Sequence, residues 1–457
     1  MAITKTLAFL HGLSFDDLPG EVKHQAWRCL LDLCGVAAAG SGTELSHIIR
    51  NHAAAQFGAG SGAAAHLMFD GRRVSPAGAA LAGGMTIDSV DAHDGYPGAK
   101  GHAGAAILPA LLALAGHSGD SAEMDAKEFM TSFVIGYELA IRDGLALHAT
   151  VPDYHTSGAW VAVACAGLGA RHLGLDNAHS RHALGIAEYH GPRSQMMRCI
   201  DHPTMLKDGA GWGAMSGVSA AYLAADGFTG APALTMESDE AASHWADLGT
   251  RWLMLEQYFK PYPVCRWAQP ATEAALDLRN DHGLTASDID HVEVFSFHEA
   301  IRLATREPAN TEAAQYSLPF PLAAALVHGQ LEARQIDGQA LQDPEILRLS
   351  RSLILRESDD YNALFPSERF AHVTLHLKDG RQLTSEPSAG RGNAENPLSD
   401  EEIIEKFRRY AACALSPARC DALQMAVNTI SRGEGSAAGL LKAITAAADA
   451  QKRSSAA

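Results

Sequence analysis

Asp88, Asp91, His93, Asp94, Lys100 and His102 fall in one short stretch, IDSVDAHDGYPGAKGHAGAAILPALLALA, and apolar residues run on directly behind them. Acids, histidines and a lysine at the mouth of a buried helix are suited to proton transfer. The plainer reading is a solvated polar loop. Three further clusters share this chemical character. Asp153-Tyr154-His155-Thr156-Ser157 precedes an apolar helix, where a histidine can also serve as a cap or a core hydrogen-bonder. The run from Arg193-Ser194-Gln195 to Lys207-Asp208-Gly209 leads into GWGAMSG, so the Lys207 ammonium and a helix N-terminus can face one anion. A surface lysine is the simpler alternative. Lys260 and Arg266 sit among prolines and aromatics in YFKPYPVCRW. That stiffness suits carboxylate recognition, and it equally suits an interdomain linker.

These residue types fit removal of a proton from a carbon next to a carboxylate. A base must reach the C–H, and cations must stand where negative charge develops. His102 or His155 can be the base, because imidazole titrates near neutral pH. Asp91 can orient a histidine and set its tautomer. Lys207, Lys260 and Arg266 can hold carboxylates, with Arg193 as a further substrate-binding candidate. Tyr154 or the other histidine can protonate a departing hydroxyl. A metal hydrolase using Asp91, His93 and His102 is the rival from another class, but no HExxH or comparable ligand spacing occurs. No CxxC pair, cluster motif or nucleotide motif is present either, so no metal and no cofactor are expected.

The 457 residues suggest two domains, and the abundant Gly and Ala suggest closely packed helices. A net charge of −17 argues against nucleic acid and against an anionic membrane. Seven irregularly spaced cysteines point to a reducing compartment. The N-terminus has no signal-peptide pattern and no apolar run is long enough to cross a membrane, so a cytoplasmic enzyme is expected. Helical periodicity runs over 20–38, 103–116, 122–147, 158–173, 178–189 and 209–226, with little strand-like alternation before 288. HVEVFSF (291–297) and AHVTLHL (371–377) alternate as half-buried strands, and Asp379-Gly380 after the second is a hairpin signal. Helices are expected at 271–281 and 317–329, and Ser399-Asp400-Glu401-Glu402 is a capping box. The expected fold is mainly α with an α+β part. A large all-helical domain (1–268) is followed by a smaller inserted α+β domain (269–395) and a helical return (396–457). The terminal QKRSSAA is expected to fray.

Several segments, in order, resemble the MmgE/PrpD family, which includes 2-methylcitrate dehydratase, cis-aconitate decarboxylase and iminodisuccinate epimerase. They are the Asp-rich loop ending in His102, YHTSGAW, GLGARHLGLD, MLKDGAGWGAMSGVSAAYLAADGFTG, FKPYPVCRWAQPA, YSLPFPLAAAL and NPLSDEEIIEKFRRYA. The resemblance implies a helical domain with a smaller α+β domain, usually in a homodimer. It places Asp91 and His102 in the catalytic loop, His155 at the second histidine position, and Lys207 and Lys260 at the two lysine positions. Where the family loop often reads Asp-x-Asp-Asp-Thr-His, this chain reads Asp91-Ala92-His93-Asp94-Gly95-Tyr96, without the threonine hydroxyl. The first reading is a cofactor-independent lyase, a dehydratase of a small di- or tricarboxylate. The alternatives are an epimerase of a polycarboxylate such as iminodisuccinate, which the altered loop favours somewhat, or a decarboxylase of the cis-aconitate type.

Overall fold

The computed structural model describes residues 2–116 and 123–449. The larger body is built from helices Gly20–Gly40, Pro76–Asp88, Gly104–Ala115, Ala126–Thr150, Gly158–His172, Asn177–His190 and Ala210–Ala225. Gly104–Ala115 is apolar on every side and every residue of it is buried, the outcome an all-round apolar helix demands. Ser75, Asp125 and Asp176 cap their helices by accepting from backbone N–H groups of the first turn. Small residues bring helix axes close. A Cβ at Gly217 would stand 2.6 Å from Cys165 Cβ and 2.9 Å from Ala166 N, so only glycine lets helix Ala210–Ala225 lie against Gly158–His172.

The smaller α+β part holds a four-stranded sheet. Numbering strands along the chain, β1 (Ala65–His66) and β2 (Arg73–Val74) form a separate antiparallel pair, while β3 (Ile289–Ser296), β4 (Ile354–Glu357), β5 (Ala371–Leu377) and β6 (Gln382–Thr384) form the sheet. Its order is β4-β3-β5-β6, with β3 and β4 parallel and the other pairs antiparallel. Gly380, at φ +90°, turns β5 into β6 at the Asp-Gly signal. Helices Gln269–Asp281 and Pro319–His328 pack with the sheet around a second core that includes Val292, Val294, Phe320, Val373 and Leu375. The fold is therefore predominantly helical with a smaller mixed α+β region. Strands β1, β2 and β4 were not anticipated: the first two are two residues long, and β4 is a mostly exposed edge strand without alternation.

Ser399 and Glu402 form the capping box of helix Asp400–Ala411. This helix packs on Gly20–Gly40 in the larger body, and Leu398, Ile403 and Phe407 join the same core as Leu30, Leu33 and Ala37. Lys406 reaches through this contact. Its Nζ pairs with Asp32 at 2.6 Å and donates to the Ala92 carbonyl at 2.7 Å, all of it buried. Helices Pro417–Ser431 and Ala438–Thr445 follow. The QKRSSAA tail lies outside the described residues. Among the described residues no helix is long and apolar enough to cross a membrane.

Candidate active site

Four helix ends deliver the polar residues to one place. Pro76–Asp88 ends in Asp88 and hands over to Asp91; His102 precedes Gly104–Ala115; Ser157 precedes Gly158–His172; Lys207 and Asp208 precede Ala210–Ala225. Hydrogen bonds tie the ends together. His102 N donates to Ser157 Oγ at 3.0 Å, Ser157 Oγ donates to Asp208 Oδ2 at 2.9 Å, and Asp208 N donates to Asp88 Oδ2 at 3.2 Å. Three of the four ends are helix N-termini, whose partial positive charge suits an anion.

The Asp-rich loop is not solvated. Asp88, His93 and Asp94 are fully buried, and Asp91 nearly so. Lys207, at 2% exposed, is not a surface lysine, and Lys260 is fully buried. Lys260 Nζ bonds Asp91 Oδ1 at 2.5 Å and the Asp91 carbonyl at 3.2 Å. Lys207 Nζ donates to Gln315 Oε1 and stands 4.7 Å above the Tyr316 ring. Asp91, Lys100 and Lys207 have φ of +55°, +56° and +51°, a region that non-glycine residues seldom occupy. Such backbone outliers gather at functional sites.

A narrow cavity of about 20 Å³ opens among Asp91, His102, Asp208, Tyr258, Lys260 and Tyr316, with Lys100, Tyr154, Arg266 and Arg369 also on its wall. His102 Nδ1 lies 2.6 Å from the Asp94 carbonyl, which can only accept, so Nδ1 carries the proton. Nε2 is left with its lone pair, 3.7 Å from Asp208 Oδ2. Burial, and then the charge of Lys260, pushes the His102 pKa well below its ordinary value, so the ring is neutral at pH 7. A neutral imidazole with an open Nε2 beside a cavity can act as a base.

The carboxyls are set apart by their surroundings. Burial pushes Asp91 up, but Lys260 and Lys207 outweigh it and hold the carboxyl at about 2. Asp88 and Asp208 are both raised, chiefly by burial and also by repulsion between acids. Asp91 is ionised and neutralised by Lys260, Asp208 at about 7 retains its proton more readily than a free carboxyl, and the two lysines add positive charge that suits an anion. Asp91 Oδ2, His93 Nδ1 and Asp208 Oδ1 are buried without a hydrogen-bond partner, which marks polar capacity open to a ligand or water.

One ligand atom each from Asp91, His93 and His102 lies within 4.8 Å of the others, a spacing a metal could use. The Lys260 ammonium already pairs with Asp91 Oδ1, so a divalent ion here would have to share the carboxylate with a buried cation. Burial and Lys260 lower His93 to about 3, so its ring is neutral. The ring meets His102 edge-on at 4.4 Å and contacts Asp88 at 3.2 Å, as a support for the base.

The remaining expected site residues are placed differently. His155 is 8% exposed and is not on the cavity wall, although its neighbour Tyr154 is. Its Nδ1 contacts the Asp153 carbonyl at 2.9 Å, which again leaves Nε2 open. The Tyr154 hydroxyl donates to the Lys100 carbonyl at 2.6 Å, so its proton is committed to holding that loop. Arg266 was expected to bind carboxylate; its N–H groups instead go to Gln269, Asn393 and the Arg391 carbonyl, because the chain at 389–393 wraps around the guanidinium. Arg193 is off the cavity wall, and its charge acts on Asp143. Sequence reasoning missed Tyr258, Arg369, Gln315 and the role of Asp208. Asp208 adjoins Lys207 and Gln315 adjoins YSLPFPL, so both lay beside a signal; Arg369 had none.

Gly95 explains the altered loop. It exchanges two backbone hydrogen bonds with Tyr258, of 3.0 and 2.8 Å. A Cβ at position 95 would collide with the Tyr258 hydroxyl, stand 2.5 Å from Tyr258 Cζ and 2.8 Å from His102 Nδ1. The Tyr258 ring thus fills the space where a side chain at 95 would project. Gly95→Ala is expected to lose about 1–3 kcal/mol through overpacking, read by urea unfolding. An unchanged midpoint would show that Tyr258 moves freely.

Residues 5–247 match the MmgE/PrpD N-terminal domain and residues 262–431 the MmgE/PrpD C-terminal domain. Human cis-aconitate decarboxylase is 25% identical over 441 residues, covering 91% of this chain and 89% of the relative. The Mus musculus cis-aconitate decarboxylase is 24% identical over 438 residues, covering 90% and 87%. A cis-aconitate decarboxylase-like protein of Aspergillus oryzae is 23% identical over 404 residues, covering 78% and 80%. With both domains matched in order over most of its length, the chain belongs to the MmgE/PrpD family.

Proposed function

We propose that this protein is a cofactor-independent lyase that removes a proton from the carbon next to a carboxylate of a small di- or tricarboxylate. The observation that carries this reading is the neutral His102, with Nδ1–H fixed on the Asp94 carbonyl and Nε2 facing a cavity that Lys260 also lines. In the proposed reaction His102 Nε2 takes the proton. The electron pair left on carbon spreads into the adjacent carboxylate, where Lys260 and Lys207 offset the added charge. In a dehydration that pair then forms the C=C bond, and the neighbouring hydroxyl leaves as water with a proton from the carboxyl of Asp208, which lines the cavity and which burial pushes up to about 7. The cavity now has room for about one water. A polycarboxylate enters only as side chains withdraw; Lys207 and its partner Gln315 lie off the cavity wall, beside Asp208 and Tyr316, and come into reach only in that opened site.

Decarboxylation is the second reading, because three relatives that span most of the chain are named for it or after it. There the C–C bond to carbon dioxide breaks and a protonated group returns a proton to the carbanion. Incubation with a panel of polycarboxylates in deuterated water, followed by NMR, separates these outcomes. Loss of water is the expected result. Loss of carbon dioxide would select the second reading, solvent exchange at a C–H without net loss would select an epimerase, and no reaction with any member would remove the proposal.

A metal-independent site makes a separate prediction. EDTA is expected to leave turnover unchanged, since Lys260 rather than an ion neutralises Asp91. Loss of activity that one added metal restores would overturn it.

A further inference from the structure

Arg369 is a buried cation without an anion. It lies two residues before β5 and is 8% exposed. Its Nη2 donates to the Pro97 carbonyl at a long 3.3 Å. Its Nε is sealed from solvent and has no hydrogen-bond partner. The guanidinium carbon stands 5.9 Å from the centre of the Phe365 ring. Among the described residues no carboxylate forms an ion pair with it. The other deeply buried arginines are provided for. Arg142 has Asp247 and Glu138, Arg50 donates to the Ser41 and Ser46 carbonyls, and Arg266 is wrapped by Gln269, Asn393 and backbone. An unpaired buried charge is costly to the fold, and a site that retains one is prepared for a charge of opposite sign.

Its location says where that charge arrives. Arg369 lines the narrow cavity together with His102 and Lys260, and it also lines a separate groove of about 1170 Å³. Arg266 is the other arginine on both walls, but both its terminal nitrogens already donate to Gln269, Asn393 and the Arg391 carbonyl. The bond to Pro97 ties Arg369 to the loop that carries His102. We infer that Arg369 binds a carboxylate of the substrate remote from the carbon that loses its proton, and so selects polycarboxylates over monocarboxylates. This rests on the polycarboxylate reading of the same cavity and adds the residue that enforces it. A guanidinium fork can hold both oxygens of one carboxylate, which a lysine ammonium cannot do in the same geometry.

The test is calorimetric titration of wild type, Arg369→Gln and Arg369→Lys with tricarballylate, glutarate and butyrate. Wild type is expected to bind the tricarboxylate most tightly. Arg369→Gln is expected to weaken tricarballylate about 10–100-fold, the range for a lost charged hydrogen bond, with butyrate unchanged. Arg369→Lys keeps the charge but not the fork and is expected to fall between. Equal affinity of wild type and both variants for tricarballylate overturns the assignment while leaving the polycarboxylate reading intact. So does an equal loss for tricarballylate and butyrate. No binding of any probe by wild type overturns the polycarboxylate reading itself, and the assignment with it. If Arg369→Gln loses its circular dichroism signature, Arg369→Lys decides: a selective loss for the tricarboxylate supports the assignment, and wild-type affinities overturn it.

Discussion

Turnover falls about 10²–10⁴-fold when His102 is replaced by asparagine, the range for a lost general base, while circular dichroism stays as in wild type. Asparagine is the informative choice. Its amide can still donate to the Asp94 carbonyl that now accepts from Nδ1, so the loop keeps its tie. It has no basic nitrogen at the position of Nε2. The pH profile supplies a second check. Burial and Lys260 disfavour the imidazolium, so the base stays deprotonated well below its ordinary value. Protonation is the inactivating event, and the acid limb of kcat/KM should lie below pH 6.5. Near-wild-type turnover in His102→Asn would remove His102 as the base. His155→Asn, measured beside it, shows whether a histidine off the cavity wall takes part at all.

Lys260→Met is expected to destabilise the protein by about 3–5 kcal/mol at pH 7, because it leaves the Asp91 carboxylate buried without its partner. The pair is fully enclosed, so solvent screening does little to soften the loss. The sign with pH follows from Asp91. Its folded pKa of about 2 lies below the unfolded value near 3.9, so the ionised pair stabilises the fold fully above about pH 4. That contribution disappears as pH falls toward 2. The gap between wild type and Lys260→Met in urea unfolding should therefore be widest near neutrality and shrink in acid. A gap of under 1 kcal/mol at pH 7 would mean that Lys207 alone neutralises Asp91.

Much of this arrangement could be read along the chain, because each piece is odd in its local setting. Asp91 and His102 are polar residues beside an apolar helix, Lys207 precedes a glycine-rich helix start, and Lys260 sits between aromatics and proline. Strands β3 and β5 show themselves by alternation, and the hairpin by Asp-Gly. What stayed hidden depends on long-range contact. β4 is exposed and pairs in parallel with β3 across about 60 intervening residues, so its pattern is set by a neighbour far away. Arg369 sits in SERFAHVT, a stretch with nothing unusual, and becomes notable only because folding buries it without a carboxylate. Arg266 is the converse case. Its stiff, cationic context was visible, but the segment that takes its hydrogen bonds lies more than 120 residues later.

The Lys406 contact bears on how the enzyme is made. The ammonium that holds the Ala92 carbonyl, and with it the Asp-rich loop, is supplied 314 residues further along the chain. During synthesis the helices that carry His102, Ser157 and Lys207 emerge long before Lys406, and Lys260 follows them by some fifty residues. The Lys406 ammonium is also the ion-pair partner of the buried Asp32. The contact that Lys406 makes with the Asp-rich loop can therefore form only after helix Asp400–Ala411 has been synthesised and has docked on Gly20–Gly40.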